Sequence, residues 1–225
     1  INNFFSFLAA MMLAYQPIRS LATINMVAYQ GAAAFKRISG IIDKDILVKE
    51  INGSPKLNLK NSNIKFIDVS FNYDSTEIKA IKDINLDIKG NSMSAFVGHS
   101  GAGKSTIINL IPRFYDAQSG EIKIDGQNIK NVSLSSLRRN LSMVSQDVIL
   151  FDDTIKNNIA YAKLDASMDE ILRACKFAAA DEFIQKLPKR YDTVIGENGI
   201  RLSGGQKQRL SIARAILKES PIILL

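Results

Sequence analysis

Apolar residues dominate positions 4–15 of the chain and then recur at every third or fourth position as far as Ile42. This spacing predicts one helix over residues 4–42, about 58 Å long and roughly twice the ~30 Å thickness of a bilayer core. The apolar run alone is shorter than the ~20 residues that span a bilayer, and no basic region precedes it as in a signal peptide. Arg19, Lys36 and Arg37 follow it and favour a cytoplasmic C-terminal end. An ordinary buried helix fits the same period and stays open as an alternative.

The pattern changes beyond this helix. Residues 43–63 carry polar residues, glycine and proline without helical periodicity, which predicts a linker. Alternating apolar and polar positions then predict two antiparallel strands, at 64–71 and 81–88. The rest of the chain predicts the following elements: strands at 93–97, 120–126 and 141–145, a helix through 107–111, and a helix over 167–187 with Ala178, Ala179 and Ala180 at its centre.

The amino-acid composition excludes some classes of protein but does not identify the ligand or partner. Of the 225 residues, 46% are hydrophobic and 23% charged, which fits one globular domain with a short appendage. The formal charge of +7 suits nucleic acid, an anionic lipid surface or a polyphosphate ligand and does not choose between them. Cys175 is the one cysteine, so a disulfide framework is excluded and a cysteine metal site is disfavoured.

Residues 98–105, called the phosphate loop below, contain the parts that bind a phosphate chain. Glycines let successive backbone N–H groups point at one anion, Lys104 reaches the outer phosphates, and the Ser105 hydroxyl suits Mg²⁺. A predicted strand enters the loop and a predicted helix leaves it, which places the positive end of the helix dipole under the phosphates. His99 is the one histidine and is given no catalytic role. The residues predicted to hold a nucleotide here are Gly98, His99, Ser100, Gly101, Ala102, Gly103, Lys104, Ser105 and Thr106.

A second glycine-bearing stretch, residues 202–206, reads Leu-Ser-Gly-Gly-Gln and precedes a helical pattern. It presents a hydroxyl and bare backbone amides at a helix start, and Ser203 also suits an ordinary N-cap. The stretch matches the LSGGQ signature of the ATP-binding cassette (ABC) family, which the chain resembles over nearly its whole length. We call it the signature segment. Its predicted nucleotide contacts are Ser203, Gly204, Gly205 and Gln206.

The resemblance implies an α/β fold: a P-loop NTPase (RecA-like) core with an antiparallel β subdomain and an α-helical signature subdomain, preceded by a long transmembrane and cytoplasmic helix. It also implies roles for single residues. Tyr73 would stack on adenine, with an ordinary sheet aromatic as the alternative. Gln146 would sense Mg²⁺ and the γ-phosphate, with a merely exposed glutamine as the alternative. The implied catalytic pair is therefore Lys104 and Gln146, and the implied Mg²⁺ ligands are Ser105 and Gln146. Glu197 resembles a cross-linking-loop residue of exporters, though a surface turn fits equally.

Residues 4–42 resemble the last transmembrane helix of an exporter half-transporter of the lipid A or multidrug type. The implied organisation is helix (1–42), linker (43–63) and nucleotide-binding domain (64–225). The implied function is ATP-driven export of a lipid or drug-like substrate by a multi-pass protein of the inner membrane, with the nucleotide-binding domain in the cytoplasm. The partners would be a second copy or a homologous half-transporter, membrane lipid and the transported substrate, and not nucleic acid. A soluble ABC ATPase acting on nucleic acid, a peptide exporter and a non-hydrolysing regulatory module remain alternatives.

One departure from the family pattern concerns hydrolysis. The apolar residues 222–225 resemble the strand that in the family leads into an aspartate and then a glutamate, the Mg²⁺ anchor and general base. Neither residue, nor the switch histidine that follows in the family, is present in these 225 residues. In the family both acidic residues would come one or two residues after Leu225, so we interpret the chain as a fragment of an ATP-hydrolysing transporter. We expect the fragment to bind nucleotide with negligible turnover.

Overall fold

The computed structural model describes residues 2–73 and 80–225. The chain divides into two compact units at the peptide bond between Leu47 and Val48. The first unit holds one helix, α1 (Asn2–Ile42), with Pro17 inside it. Its span over residues 3–42 is long and apolar enough, by length and composition, to cross a membrane. The predicted helix is therefore present.

An antiparallel sheet forms one half of the second unit. Its four strands lie in the order β2–β1–β3–β4. Their bounds are β1 (Ile64–Phe71), β2 (Ile81–Ile88), β3 (Ser119–Ile124) and β4 (Gln127–Asn128). Strand β1 pairs antiparallel with β2, Phe66 opposite Leu86, and with β3, Ile64 opposite Ile124. The two antiparallel strands predicted from the alternating pattern are confirmed.

Helices and a short parallel ladder make up the rest of the unit. The helices are α2 (Lys104–Leu110), α3 (Leu134–Arg139), α4 (Ile155–Ala160), α5 (Met168–Phe177), α6 (Asp181–Ile184) and α7 (Gly204–Leu217). Strands β5 (Leu141–Met143) and β6 (Ile222–Leu224) pair in parallel. The predicted α/β class, with an antiparallel sheet, a helical part and a long preceding helix, is confirmed.

Two hydrophobic cores hold the unit together. One lies between the sheet and α2 and includes Phe66, Val69, Leu110, Ile124 and Leu137. The other lies among the later helices and includes Ile155, Ile159, Ile171, Ile184 and Leu210. Each of these ten side chains is at most 1% exposed, so apolar burial stabilises both halves. The helix that follows the phosphate loop packs in the first core, and the signature segment and its helix pack in the second.

The strand expected at residues 93–97 is absent from the described ladders. Met93 and Val97 are 94% and 92% exposed. A short apolar run becomes a strand only where a neighbouring strand accepts its backbone hydrogen bonds, and β5 and β6 pair with each other alone among the described residues. Residues 92–96 instead border a cleft of about 500 Å³ together with Ile223 and Leu225 of the β6 region.

The single helix expected over residues 167–187 is also wrong at its centre. Helix α5 ends at Phe177, Ala179 adopts a left-handed φ of 52°, and α6 begins at Asp181. The break lets Ala178 and Ala180 both enter the helical core, where they are 6% and 0% exposed. Burial of these two small side chains outweighs the helix propensity of the three alanines.

Residues 48–63, part of the stretch predicted to be a linker, are fastened to the sheet although they form no helix or strand. The Asp125 carboxylate accepts hydrogen bonds at 2.7–3.0 Å from the backbone N–H groups of Lys60, Asn61, Ser62 and Asn63. Partial burial opposes ionisation of Asp125, but these amides hold its pKa below the ordinary value. The end of the segment is thus fixed to the turn between β3 and β4.

Candidate nucleotide site

The phosphate loop ends at a helix start whose amides are not capped. Gly103 is the N-cap of α2, with φ 85° and ψ 5°, and no side chain caps the helix. The first N–H groups of a helix have no intrahelical acceptor, so those at the start of α2 are available to an anion. Gly101 is also left-handed, with φ 81°. The loop geometry that the glycine spacing implies is present.

Gly103 lies so close to the sheet that a side chain would not fit. A Cβ atom there would stand 2.6 Å from Cγ2 of Ile81 and 2.9 Å from the carbonyl oxygen of Ala80. Because the φ of Gly103 also disfavours any L side chain, glycine is required on two grounds. The loop backbone therefore packs directly against the start of β2, and we call this close packing at Gly103 the cradle.

Lys104 lies across the loop. Its Nζ donates hydrogen bonds to the carbonyl oxygens of Gly98 and His99 at 2.9 and 2.8 Å. The His99 ring Nδ1 is 2.9 Å from the carbonyl oxygen of Ser100, so its nearest polar contact is within the loop itself. The ammonium group is thus held over the same backbone that the glycines leave open.

A cleft of about 600 Å³ brings most of the predicted residues together. It places Tyr73, from the end of the sheet, and Gln146, from beyond β5, on the walls of the same cavity as the phosphate loop. Ala80, which the sequence did not single out, also lines it. The loop contributes Ser100, Gly101, Ala102, Gly103, Lys104, Ser105 and Thr106. Gly98 and His99 contribute instead through their carbonyl contacts with Lys104.

Ser105 and Gln146 are the two predicted Mg²⁺ ligands, and both line this cleft. The described residues hold no cluster of three or more His, Cys, Asp or Glu side chains that would form a metal site by itself. A hydroxyl and an amide oxygen are suited to Mg²⁺ only where phosphate oxygens and water complete its octahedron. The donor set therefore fits a metal that arrives with a nucleotide.

Gln146 faces two cavities. Its position is set by the turn after β5, where the Ser145 hydroxyl donates to the Asp147 carbonyl at 2.7 Å. Besides the phosphate-loop cleft, Gln146 lines a second cleft of about 580 Å³ with Gly204 and Lys207 at the start of α7. It therefore lies between the two glycine-rich helix starts.

The signature segment forms a capped helix start. Ser203 is the N-cap of α7; its hydroxyl accepts from Gln206 N–H at 3.4 Å, while Gln206 Oε1 accepts from Ser203 N–H at 2.9 Å. Ser203, Gly204 and Gly205 are exposed. Among the described residues, the walls of the phosphate-loop cleft do not include the signature segment. The structure therefore places the predicted contacts of the signature segment outside the phosphate-loop cleft of the same chain.

Glu197 lies exposed in a turn of 3-10 helix, Glu197–Gly199, whose middle residue Asn198 has a left-handed φ of 50°. The Leu150 side chain would lie 2.7 Å from a Cβ on Gly199. This close packing fixes the turn near α7 and leaves the Glu197 carboxylate in solvent.

Sequence reasoning missed Arg214 as a structural link. From α7 its guanidinium donates to the Asn158 carbonyl at 2.6 Å, the Asn158 Oδ1 at 2.7 Å and the Ile149 carbonyl at 2.6 Å. Burial lowers the pKa of Arg214 from its ordinary value, and these acceptors compensate the buried charge. The helix of the signature segment is thereby tied to the residues that follow Gln146. An arginine among Ile212, Ala213 and Ala215 was the one available signal.

Comparison with known proteins places this geometry in a family. The sequence pattern of the ABC transporter family matches residues 81–225. An ATP-dependent lipid A-core flippase of Syntrophus aciditrophicus (strain SB) is 47% identical over 224 residues, which cover 100% of this chain and 37% of that protein. The flippase of the same name from Haemophilus influenzae (strain 86-028NP) is 48% identical over 222 residues, covering 98% of this chain and 37% of that protein.

A solved structure agrees with the sequence relatives. A bacterial Atm1-family ABC exporter with ATP bound superimposes with a TM-score of 0.81 at 43% identity, covering 87% of this chain and 34% of that one. The chain thus spans little more than a third of the length of the proteins it matches.

Proposed function

Because this chain belongs to the ABC transporter family, we propose that it is the nucleotide-binding part of an exporter and binds ATP with Mg²⁺ in the phosphate-loop cleft. The observation that carries the proposal is the cradle at Gly103, where the backbone packs on Ile81 with no room for a side chain, the first amides of α2 carry no side-chain cap, and Lys104 lies beside them on the wall of the cleft. ATP supplies a phosphoanhydride bond whose cleavage releases free energy.

Different residues of the cleft would bind different parts of ATP. The uncapped amides at the start of α2 and the Lys104 ammonium neutralise phosphate charge, and Lys104 exchanges its two carbonyl partners for phosphate oxygens. Ser105 and Gln146 supply oxygens to Mg²⁺, and Tyr73 provides the aromatic ring for the base. Lys104 and Gln146 are the residues we propose for phosphate charge stabilisation and nucleotide sensing.

The signature segment would act on the nucleotide of a second copy or a homologous half-transporter. Its exposure and its separation from the cleft of its own chain support this arrangement. Ligands that bind an associated pair more tightly than separate chains drive association, and that differential affinity is the source of mechanical work. Gln146, between the two helix starts, is positioned to respond to both.

Helix α1 supports a membrane location. Large apolar side chains such as Phe7, Met12 and Leu13 are 66–76% exposed, and apolar surface of this kind is stable in hydrocarbon rather than in water. We place the whole protein in the inner membrane with this nucleotide-binding domain in the cytoplasm. The relatives' name, lipid A-core flippase, favours a lipid as the substrate, and the name of the solved structure, an ABC exporter, favours export as the direction.

The nucleotide site is tested by thermal unfolding in detergent with and without Mg·ATP. Binding at a hundredfold excess over Kd stabilises the folded chain by about 2.7 kcal/mol. We expect this shift in the wild type and its loss in Lys104→Ala. The control is Lys186→Ala, which removes an exposed lysine outside the cleft and should keep the full shift. Equal shifts in wild type and Lys104→Ala would contradict the proposed site.

The transport proposal needs the full-length protein in liposomes. ATP-dependent movement of a labelled lipid A analogue between leaflets is the expected result, with the Lys104→Ala protein as the inactive control. Movement of an amphipathic drug but of no lipid would contradict the lipid assignment while leaving the nucleotide site intact.

A further inference from the structure

Three aromatic rings pack together beside the nucleotide cleft. The centroids of Phe71 and Tyr73 are 4.9 Å apart with the rings at 83°, and those of Tyr73 and Tyr115 are 5.1 Å apart at 86°. Phe71 and Tyr115 are 5.4 Å apart at 46°, which closes the triangle. Of the three, only Tyr73 lines the cleft. Tyr73 is therefore a site residue supported by two rings that stand behind it.

The Tyr73 side chain is also held at its far end. Tyr73 follows the end of β1 by two residues. Its hydroxyl lies 3.3 Å from the Thr106 hydroxyl on α2, which holds the far end of the side chain. Contacts with the Phe71 and Tyr115 rings restrict the rotation of the side chain about its bonds.

The backbone on either side of Tyr115 is held by the Arg113 side chain. Arg113, two residues earlier, is 4% exposed, has a left-handed φ of 55° and pairs with Asp116 through both carboxylate oxygens, at 2.6 and 3.0 Å. The same guanidinium donates to the carbonyl oxygen of Lys49 at 2.9 Å. The clamp therefore spans Tyr115 on both sides and holds its ring at a fixed place next to Tyr73.

We propose that Tyr115 is a positioning residue for recognition of the nucleotide base, acting through Tyr73 rather than by touching the ligand. Both neighbours meet the Tyr73 ring nearly at right angles, a favourable aromatic packing that holds the plane of this ring. Tyr115 fixes the plane of the Tyr73 ring before the base arrives. The entropy lost in ordering this ring then does not reduce the affinity for the nucleotide. The inference rests on the proposed ATP site and adds the residue that sets base recognition.

The test separates the base from the phosphates. Affinities of the chain in detergent are measured by calorimetry for Mg·ATP and for Mg·tripolyphosphate, which lacks base and ribose. We expect Tyr115→Leu to weaken ATP binding about three- to tenfold, the value of one aromatic pair, and to leave tripolyphosphate binding unchanged. Tyr115→Phe keeps the ring and should bind both ligands as the wild type does. Tyr73→Leu, the reference, should lose at least as much ATP affinity as Tyr115→Leu.

Controls and contrary outcomes are distinct. Phe177→Leu removes an 81% exposed aromatic far along the chain on α5 and should change neither affinity. Should Tyr115→Leu fail to fold by circular dichroism, Tyr115→Met, of similar bulk and without a ring, takes its place. Equal weakening of both ligands, or of neither, would overturn the role of Tyr115, as would a Tyr115→Phe protein that behaves like Tyr115→Leu. A wild type that binds neither ligand would overturn the nucleotide site itself, and one that binds tripolyphosphate as tightly as ATP would overturn base recognition alone.

Discussion

Helices α2 and α7 both begin at glycine-rich sequence, yet their first turns are built in opposite ways. Gly103 begins α2 in a left-handed conformation with no side-chain cap. Ser203 begins α7 in an extended conformation, with φ −70° and ψ 159°, and forms a reciprocal capping box with Gln206. The first N–H groups of α2 have no side-chain acceptor and stay available to a ligand, whereas the capping box of α7 supplies acceptors for some of its own N–H groups.

The difference shows how one serine can both cap a helix and meet a ligand. A hydroxyl has two acceptor lone pairs and one proton to donate. The cap uses Ser203 Oγ as an acceptor from Gln206 N–H, so the hydroxyl keeps its proton for the contact that we propose with a phosphate oxygen. Thus the helix start at the phosphate loop is built by backbone conformation and close packing, whereas the helix start at the signature segment is built by one side-chain hydroxyl. The two starts should respond to different mutations.

The largest effect is expected at Gly103. In Gly103→Ala the left-handed conformation costs about 2 kcal/mol, and the new Cβ collides with Ile81 and Ala80. We expect at least this loss in the free energy of unfolding by urea, together with loss of ATP binding. Gly126→Ala is the matched control, since Gly126 has φ 78° but nothing within 4 Å of its Cβ position. It should show the backbone cost alone with an unchanged ATP affinity; the same result in Gly103→Ala would remove the argument for a tight cradle.

A smaller effect is expected at Ser203, and it separates the two roles of the hydroxyl. Ser203→Ala should destabilise the chain by about 1 kcal/mol through loss of the cap. Ser203→Asp restores an acceptor for the cap but carries no proton and repels phosphate, so its stability should return while association of two chains with Mg·ATP should not. Ser203→Thr should keep both. Urea unfolding and sedimentation in detergent are the measurements, and ATP-driven association of the Ser203→Asp chain would contradict the proposed contact.

Both helix starts could be predicted from sequence because their chemistry is local. Glycine spacing, a lysine and a hydroxyl within residues 98–105 imply the cradle, and a serine three residues before Gln206 implies the cap. The two antiparallel strands were equally readable from their alternating pattern. The cleft that joins Tyr73 and Gln146 to the loop came from resemblance to a family and not from any local spacing.

The failures share a different cause, which is contact between distant parts of the chain. Residues 93–97 have strand character without a described strand partner, and Ala178 to Ala180 have helix character interrupted by core packing. The fastening of residues 60–63 by Asp125 and the link from Arg214 to Asn158 join positions more than fifty residues apart in sequence. No pattern along the chain reveals such pairs, since neither partner is unusual by itself.

The smallest effect compares α7 with α5, whose first turn carries the same capping box but with a titratable partner. In α5, Ser167 is paired with Glu170 where α7 has Gln206. The hydrogen bond from Lys163, with those from Ser167, lowers the pKa of Glu170 to about 2. Since the folded pKa lies below the ordinary value, the stabilisation is present at neutral pH and is lost as the pH falls from about 5 to 2.

Exchanging the partners tests this assignment. Glu170→Gln should reduce the loss of urea stability between pH 6 and pH 3, because its box no longer titrates, while Gln206→Glu should add a pH dependence at α7. Amide hydrogen exchange at the first turns of α5 and α7 gives the local measurement, with exchange in the wild type accelerating at low pH in α5 and not in α7 after correction for intrinsic rates. If the wild type and Glu170→Gln lose the same free energy of unfolding over this range, the carboxylate of Glu170 does not hold the first turn of α5. The two capping boxes would then differ in sequence but not in their response to pH.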